Sequence, residues 1–269
     1  MYIESLVIIF FLGLTIGSFL NCLAYRLSHE EDGWLTKFLR GRSICPGCRH
    51  TLESKDLIPV ISFAWLGGKC RYCKQKISWQ YPLVELLTAG IFTFIFYQQG
   101  ISLPALFGIG TSVDWMLWRN WLIAGTLIVV FLVDLKKMII PDKIILPAGI
   151  IIFLANLYFG FSWSEMLISG VIIGGFFLIQ YLVSKGKWIG FGDVKFGLVI
   201  GIFFGWWGLL ALFLAYIIGG ITATILLLGK FKHAKSQVPF GPFLVIGSLL
   251  TLFWGPMIWE IYQRIILLN

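Results

Sequence analysis

Charged residues are scarce in this sequence, and their scarcity excludes a soluble globular protein. Asp, Glu, Lys and Arg make up 13% of the 269 residues, whereas 58% are hydrophobic and the mean hydropathy is +0.89. A soluble domain ordinarily carries about 25% charged residues. Apolar stretches of roughly 20 residues, enough to cross the hydrocarbon of a bilayer, recur along the chain. The composition therefore predicts a polytopic membrane protein.

Further absences narrow the function. No Lys or Arg precedes the first apolar run, so we expect a retained first helix rather than a cleaved signal peptide. The three histidines are isolated and form no HExxH pair, which argues against a catalytic zinc protease. No GxGxxG follows a predicted strand, so the sequence itself shows no nucleotide-binding fold. There is also no internal repeat of the kind that many transporters contain.

Eight apolar stretches predict eight transmembrane helices, so the fold class is an all-α polytopic membrane protein. The sixth stretch is the shortest. It depends on a turn, indicated by the glycine and tryptophan residues at 205–208, that divides the long run 196–228 in two. The predicted spans are 4–25, 82–98, 117–134, 144–160, 165–183, 196–206, 208–228 and 240–260.

The positive charges indicate the orientation of these helices. Of the 21 Lys and Arg residues, 19 fall in four segments: 26–81, 135–143, 184–195 and 229–239. Because positive loops stay in the cytoplasm, this pattern puts all four segments on the cytoplasmic side. It also requires two crossings between 195 and 230, which supports the short sixth helix. Topology thus accounts for nearly all of the +8 net charge, and we predict no nucleic-acid partner.

Small residues recur at four-residue spacing in several of the predicted helices. Such spacing lets transmembrane helices approach closely, so we expect these glycines to lie at helix–helix contacts. They are Gly13 and Gly17, Gly170 and Gly174, and Gly197, Gly201 and Gly205.

The one sizeable insert, residues 26–81, carries four of the five cysteines. They form two CxxC pairs with 21 residues between them, and this arrangement is typical of a small zinc ribbon. The chain is therefore predicted to comprise a first transmembrane helix (1–25), a cytoplasmic four-cysteine zinc-binding domain (26–81) and a seven-helix membrane domain (82–269). The predicted metal ligands are Cys45, Cys48, Cys70 and Cys73.

Two disulfides are the alternative for these cysteines, but they would need an oxidising compartment. Four thiolates leave no open coordination position, so the predicted ion is structural, and the ligands do not distinguish zinc from iron. A metal would supply most of the folding free energy of so small an insert. Cys22 lies within the first apolar run and is predicted to be a small buried side chain rather than a ligand.

Two aspartates, Asp134 and Asp193, stand where apolar runs meet short lysine-bearing loops. A carboxylate so near hydrocarbon costs free energy, which makes each a functional-site candidate. Two carboxylates brought together in a site of low dielectric constant share one proton. The ionised member can take a proton from water as it attacks a peptide carbonyl, while the other protonates the carbonyl oxygen. The pair therefore predicts aspartic protease chemistry.

Neighbouring residues fit this use. Gly190 and Gly192 permit backbone conformations barred to other residues and would let a substrate strand approach closely. Pro141 closes the short loop after Asp134, and Lys195 follows Asp193. Alternatively, both aspartates are structural. Asp134 would then cap a chain reversal or pair with Lys136 or Lys137, and Asp193 would be the N-cap of the following helix.

Seven segments of the chain together resemble those of the type IV prepilin peptidases, which are membrane aspartic proteases with a GxGD signature. The resemblance extends over nearly the full length. The segments are GSFLNCLAYRL from Gly17, the two CxxC pairs, YPLVEL from Tyr81, VDLKKMIIPD from Val133, GFGDVK from Gly190 and PFGPFL from Pro239.

The resemblance implies that Asp134 and Asp193 are the catalytic pair of an enzyme in the bacterial inner membrane. Its active site would face the cytoplasm. The substrates would be prepilins or pseudopilins, cut after a glycine between a short basic leader and a hydrophobic helix. A protease embedded in the lipid bilayer suits a scissile bond that adjoins a transmembrane segment.

The resemblance also implies a second activity. Many members of the family methylate the new N-terminal residue with S-adenosylmethionine, and the cysteine insert is associated with this activity. Glu85, three residues after Pro82, is a candidate for a cofactor or prepilin contact, although it could simply stabilise the N-terminus of its helix. With Glu53, Asp56 and Asp142, it is also a candidate for contacting the basic leader.

Other functions fit parts of the pattern. A transporter could use Asp134 and Asp193 as coupling carboxylates, although such groups are expected near the middle of the membrane. A presenilin-like intramembrane protease shares the GxGD motif but not the CxxC pairs. A membrane methyltransferase in which the aspartates only cap helices is a further alternative. Archaeal preflagellin peptidases are also similar, but the cysteine insert favours the bacterial type.

Overall fold

The structure is a computed structural model that describes residues 2–29, 43–101, 103, 114–229 and 239–267. Within these ranges the chain is helical and has no β-strand, only two isolated bridges and a 3-10 turn at Ser54–Asp56. The α-helices described are α1 Tyr2–His29, α2 Ile61–Trp65, α3 Gln80–Gln99, α4 Trp115–Lys137, α5 Asp142–Tyr158, α6 Trp163–Ser184, α7 Phe191–Phe204, α8 Trp207–Leu228 and α9 Gly241–Leu267.

Each of the eight predicted spans coincides with one of these helices, which confirms the all-α polytopic membrane fold. Six of them, α1, α3, α4, α6, α8 and α9, are long and apolar enough to cross a membrane. The other two, α5 and α7, have 17 and 14 residues. The short sixth helix was predicted from the turn after it, and α7 does end at that turn.

Several helices extend beyond their predicted ends. Hydropathy marks only the apolar part of a helix, whereas the hydrogen-bonded backbone continues into neighbouring polar residues. Helix α1 continues to His29 rather than residue 25. Helix α4 runs past Asp134 to Lys137 and ends where Met138 adopts a φ of 54°. Helix α7 begins at Phe191 rather than residue 196, so Asp193 lies inside its first turn. The loop segment 230–238 lies outside the described residues.

The chain forms two compact units, Met1–Val129 and Val130–Asn269. In the first unit, α1 packs against α3 through the predicted glycines. A Cβ added to Gly13 would lie 2.6 Å from the Cα of Ala89, and one added to Gly17 would lie 2.7 Å from the Cα of Glu85. Real Cβ atoms do not approach so closely. The expected role of these two glycines in helix packing is therefore confirmed.

In the second unit, α6 packs against α7 in the same way. A Cβ on Gly170 would lie 2.9 Å from the carbonyl oxygen of Leu198, and one on Gly197 would lie 2.7 Å from the ring of Phe177. Gly201 would clash with the backbone of Gly170 itself. Because each glycine removes a side chain from the contact, the two helix backbones can approach closely.

Gly205 does not share this role, and its prediction as a packing glycine is wrong. A Cβ there would meet no atom within 4 Å. Its φ of 57° instead places it in the left-handed region, where it ends α7 and donates its N–H to the carbonyl of Gly201 at 2.7 Å. Glycine adopts this conformation without steric strain, so it suits the tight turn into α8.

Buried polar side chains hold the far end of α7. Asn156 of α5 donates its amide N–H to the carbonyl oxygen of Ile202 at 2.9 Å. Ser169 of α6 donates its hydroxyl to the carbonyl oxygen of Gly201 at 3.2 Å. Hydrogen bonds between helices are favourable in an apolar environment because the alternative is an unpaired polar group. With its C-terminal end held from two sides, α7 is a fixed support for Asp193 at its other end.

Candidate active site and metal site

Asp134 lies in the last turn of α4, and its side chain is buried, with 4% exposed. The backbone N–H of Gly241, the first residue of α9, donates a hydrogen bond to its carboxylate. The N-terminus of a helix carries partial positive charge, which stabilises an anion placed there. Among the described residues Asp134 forms no ion pair, so the alternative in which it pairs with Lys136 or Lys137 is not supported.

Asp193 is also buried, with 8% exposed, and lies in the first turn of α7. Its Oδ2 accepts the backbone N–H of Gly190 at 3.1 Å. The carboxylate therefore caps the start of its own helix, as the structural alternative predicted, although from the third helical position rather than from the N-cap. This hydrogen bond fixes the orientation of the side chain.

The two carboxylates lie on different helices of the same compact unit and interact electrostatically. Each is buried, and each is held by a backbone N–H at a helix N-terminus. Capping alone would explain either residue taken separately. It does not explain why α4 and α7 place two buried acidic groups within electrostatic range of each other, an arrangement that costs free energy and so makes the pair a functional-site candidate.

A close approach joins the loop after Asp134 to the GxGD turn. A Cβ on Gly192 would lie 3.2 Å from the Cβ of Ile140, so a side chain there would push the loop away. Pro141 is the N-cap of α5, and its carbonyl accepts the N–H of Ile144 at 3.0 Å. The loop therefore passes directly from Asp134 past Gly192 into α5.

The two glycines do not have the backbone conformation that the sequence predicted. Neither Gly190 nor Gly192 has a positive φ, and the φ of Gly190 is −77°, which any residue adopts. That part of the prediction is wrong because Gly190 is an ordinary N-cap and Gly192 is part of the helix. The value of Gly192 is its missing side chain, which makes room for Ile140.

Lys195 does not pair with Asp193, two residues before it. Its ammonium donates a hydrogen bond to Oδ2 of Asp142 in α5 and lies 5.4 Å from the centre of the Phe191 ring. An ion pair therefore links the first turn of α5 to the first turn of α7. The Asp142 carboxylate is thus already paired with a residue of this chain, which weakens the prediction that Asp142 contacts the leader peptide.

Two features of the site had no role in the sequence-based prediction. One is Gly241, since a Cβ there would collide with Oδ2 of Asp134 and lie 2.9 Å from its Cγ. The other is an aromatic cluster in which the ring of Phe240 lies 4.9 Å from Tyr216 and 5.8 Å from Phe177. Tyr216 also lies within electrostatic range of Asp193. The only signal was the segment PFGPFL, whose glycine precedes a long apolar run.

The four insert cysteines converge in the first unit. Their sulfur atoms all lie within 4.8 Å of one another, and Sγ of Cys45 lies 3.8 Å from Sγ of Cys73. Tetrahedral zinc with Zn–S bonds of about 2.3 Å places its thiolates about 3.8 Å apart. The cluster thus has the donor set and spacing of a metal site.

Both knuckles have the same local fold. Arg49 and Lys74, which follow Cys48 and Cys73, have φ values of 56° and 61°. In each knuckle a backbone N–H returns to the carbonyl of the first cysteine, Arg49 to Cys45 at 2.9 Å and Lys74 to Cys70 at 3.0 Å. The two turns therefore present their sulfurs to a common centre.

The charge state of Cys45 also suits a metal. Burial raises the pKa of this thiol, but hydrogen bonds from the backbone of Cys48 and Gly47 prevail and lower it to about 7. A thiolate, rather than a thiol, is the form that binds metal. The residues present therefore fit a structural ion held by four cysteines.

A buried acid supports the insert. The Asp56 side chain is 3% exposed, and it accepts hydrogen bonds from Arg71 at 2.6 Å and from the Tyr72 hydroxyl at 3.2 Å. Burial opposes ionisation, but the Arg71 hydrogen bond prevails and holds the pKa of Asp56 below its ordinary value. Asp56 thus links the 3-10 turn to the second knuckle. Because its partners come from this chain, its prediction as a leader contact is weakened.

Glu85 is buried in α3, with 6% exposed, and its Oε2 accepts the backbone N–H of Val60 at 2.7 Å. Ser18 of α1 also hydrogen-bonds the carboxylate. These contacts give Glu85 a structural role, since they join α1, α3 and the insert. Its assignment to cofactor or prepilin binding stays a prediction.

Comparison with known proteins identifies the family. A family model described as the bacterial peptidase A24 N-terminal domain matches residues 11–99, and another, described as the type IV leader peptidase family, matches residues 121–225. The cysteine cluster falls in the first match and both aspartates fall in the second. No solved structure matches the chain.

Curated relatives match almost end to end. A prepilin leader peptidase/N-methyltransferase of Aeromonas salmonicida is 30% identical over 97% of this chain and 94% of its own length. This chain belongs to the type IV leader peptidase family. Proteins with the same name from Aeromonas hydrophila and Pseudomonas aeruginosa are 31% and 29% identical, over 95% and 94% of this chain and 92% and 91% of their own lengths. Membership identifies the chain as a peptidase.

The cysteine geometry generates a testable expectation about metal content. The purified protein should contain about one metal ion per chain, because four thiolates at this spacing fill one tetrahedral site. Cys70→Ser should reduce that content to near zero, since it removes a buried ligand. Elemental analysis by plasma mass spectrometry measures both the amount and the identity of the metal.

Cys22→Ser is the matched control because Cys22 lies in α1 outside the cluster, and it should keep the full metal content. A metal-free wild-type protein, or a Cys70→Ser variant that retains its metal, would contradict the assignment.

Proposed function

We propose that this chain is a membrane-embedded aspartic endopeptidase that removes the leader peptide of type IV prepilins or pseudopilins, with Asp134 and Asp193 as its catalytic pair. The observation that carries the proposal is the electrostatic interaction between two buried carboxylates, one on α4 and one on α7, within the same compact unit. Family membership supplies the reaction class, and the names of the relatives supply the substrate class.

The chemistry requires the two aspartates to hold one proton between them. The ionised carboxylate takes a proton from a water molecule as the water oxygen bonds to the carbonyl carbon of the scissile peptide. The protonated carboxyl gives its proton to the carbonyl oxygen, forming a neutral tetrahedral diol. When this intermediate collapses, the carbon–nitrogen bond breaks, the departing amine receives a proton from the protonated aspartate, and a diol hydroxyl gives its proton to the other aspartate as the new carboxyl group forms. No covalent link to the enzyme forms.

The hydrogen bonds at the site support this division of labour. The Gly190 and Gly241 N–H groups orient the two carboxylates without giving up a proton themselves. Backbone donors at helix N-termini also stabilise the ionised form of whichever aspartate lacks the proton. The aromatic rings of Tyr216 and Phe240 provide an apolar wall beside the pair, which suits a substrate whose scissile bond adjoins a hydrophobic helix.

The proposed location is the bacterial inner membrane, with the active site facing the cytoplasm. The support is the distribution of charge, since 19 of the 21 Lys and Arg residues fall in the four segments predicted to be cytoplasmic. Asp134 immediately precedes one of those segments, 135–143, and Asp193 lies within another, 184–195. A basic prepilin leader would remain on this side, where the scissile bond meets the membrane.

We further propose that the chain methylates the new N-terminal residue of the cut pilin with S-adenosylmethionine. This proposal rests on the relatives' name and on the intact cysteine cluster. Zinc is the proposed ion at Cys45, Cys48, Cys70 and Cys73, where it would supply folding free energy to the insert rather than chemistry. The residues that bind S-adenosylmethionine stay unassigned, with Glu85 as the sequence-based candidate.

Removing either carboxylate should abolish cleavage. Asp134→Asn and Asp193→Asn keep the size of the side chain but cannot exchange the proton, so each should lower the cleavage rate at least about 100-fold. The measurement incubates purified enzyme in detergent with a prepilin and follows the loss of the leader by mass spectrometry. Cleavage by either variant at the wild-type rate would refute the aspartic mechanism.

Asp114→Asn is the matched control, because Asp114 caps the start of α4 by accepting the N–H of Leu117 at 3.1 Å. It should retain cleavage, because the asparagine side-chain oxygen can still accept the N–H of Leu117 and Asp114 has no role in the proposed chemistry. Methylation of a mature pilin by the two Asn variants gives a second readout. Retained methylation shows a folded protein with separate active sites, whereas an inactive Asp114→Asn variant would show that an Asp-to-Asn change at a helix end impairs the enzyme without removing a catalytic carboxylate.

A side chain at Gly241 should misplace Asp134. In Gly241→Ala the new Cβ overlaps the carboxylate, so kcat should fall by about 100-fold while KM for the prepilin changes little. Gly220→Ala is the control, since a Cβ there meets no atom within 4 Å, and it should behave as wild type. A wild-type kcat for Gly241→Ala would show that the position of the Asp134 carboxylate does not limit the reaction.

The Asp142–Lys195 ion pair should tune the reaction through the spacing of α5 and α7. Because both partners are partly exposed, Asp142→Asn and Lys195→Met should each lower kcat only about fivefold. The swapped pair Asp142→Lys with Lys195→Asp should recover part of that loss. Lys187→Met, at an exposed lysine of the loop that precedes α7, should have no effect. A swapped pair worse than either single variant would argue against the link.

A further inference from the structure

The run between the two cysteine knuckles is unlike the rest of the insert. Residues 57–68 contain no charged side chain, whereas Asp56 precedes them and Lys69 follows them. Several of their large apolar side chains face outward, with Ile61 50% and Trp65 83% exposed. An apolar run of 10 to 14 residues is too short to span a bilayer, and in membrane proteins it is typical of an interfacial or re-entrant segment.

A hydrogen bond fixes the depth of this run relative to the membrane. Val60 donates its N–H to Glu85, which lies five residues beyond the start of α3 at Gln80. Those five residues correspond to about 7 Å along the helix axis. Because α3 has 20 residues, about the thickness of the hydrocarbon core, Val60 lies at the edge of the hydrocarbon rather than in open solvent.

Aromatic contacts agree with this depth. The ring of Phe63 lies 4.8 Å from that of Trp79, which immediately precedes α3 and is 69% exposed. Tryptophan at the end of a transmembrane helix is typical of the boundary between headgroups and acyl chains. The exposed apolar surface is also continuous with that of α3, where Leu83 and Leu87 are more than half exposed.

The backbone of the run can tolerate a low-dielectric environment. A segment in contact with lipid must satisfy its own polar groups. Ser62, Ala64 and Leu66 donate their N–H groups to carbonyls four residues earlier, each at 3.0 Å. Val60 has a φ of 60° and interrupts this series of backbone hydrogen bonds. Its N–H donates to the Glu85 carboxylate instead. Glu85 thereby replaces the missing backbone partner.

We propose that residues 57–66 form an interfacial membrane segment that inserts Ile61 and Trp65 into the boundary between lipid headgroups and acyl chains. Ile61 and Trp65 are four residues apart in α2 and share one of its faces. Lys69, which is exposed, lies where it can reach lipid phosphates. The metal site, with a knuckle on either side of this segment, is held at the membrane surface.

Site-directed spin labelling of the full chain tests the proposal. A nitroxide is attached through a ketone-bearing unnatural amino acid at position 65, which leaves the metal cysteines untouched. The protein is placed in nanodiscs that each contain one copy. Collision rates are measured with oxygen, which partitions into lipid, and with a nickel chelate, which stays in water. We expect a several-fold higher ratio of oxygen to nickel collisions at position 65 than at position 76.

Position 76 is the matched control, because Lys76 is an exposed residue of the second knuckle. A label at position 61 repeats the test where position 65 disturbs the fold, and an unchanged metal content shows that the insert is intact. A label at 65 and 61 that the nickel chelate reaches as freely as at 76 would overturn the proposal. If the label is shielded from the nickel chelate only when a disc holds two copies, or only after prepilin is added, the surface contacts a protein partner rather than lipid. Either result would also overturn the proposal.

Discussion

Keeping charge out of hydrocarbon is the constraint on which the rest of the structure depends. It confines nearly all Lys and Arg residues to loops and helix ends, so that six of the described helices remain long and apolar enough to cross a bilayer. The same constraint makes Asp134 and Asp193 exceptional. Each is buried at a helix end, where a backbone N–H offsets part of the penalty. Proton sharing by the pair is the use that we propose for these two costly carboxylates.

Close helix packing makes the placement of Asp193 possible. Gly170, Gly197 and Gly201 bring the backbones of α6 and α7 together, while Asn156 and Ser169 hold the far end of α7. A helix anchored in this way can hold a carboxylate in a fixed position. Gly192 and Gly241 apply the same principle at the site itself, since a missing Cβ admits Ile140 in one case and the Asp134 carboxylate in the other.

The first compact unit meets the constraint differently. Its cysteine cluster has the geometry of a metal site and needs little apolar core, which leaves the large apolar side chains of residues 57–66 free to face outward. Glu85 is a buried acid in a membrane helix, yet its hydrogen bonds to Val60 and Ser18 explain its presence without catalysis. The contacts of an acid in a membrane segment therefore decide whether it remains a functional candidate.

Sequence alone determined the membrane class, the position of all eight membrane helices, the cysteine knuckles and the two aspartates, because hydropathy, charge bias and motif spacing are properties of individual residues. Only the tertiary structure decided what those residues touch. It moved the start of α7 to include Asp193, paired Lys195 with Asp142, placed Gly205 at a positive φ outside the helix–helix contact and brought Gly241 against Asp134. These contacts join segments that are far apart in the chain or depend on one backbone torsion, and local apolar pattern carries no information about either.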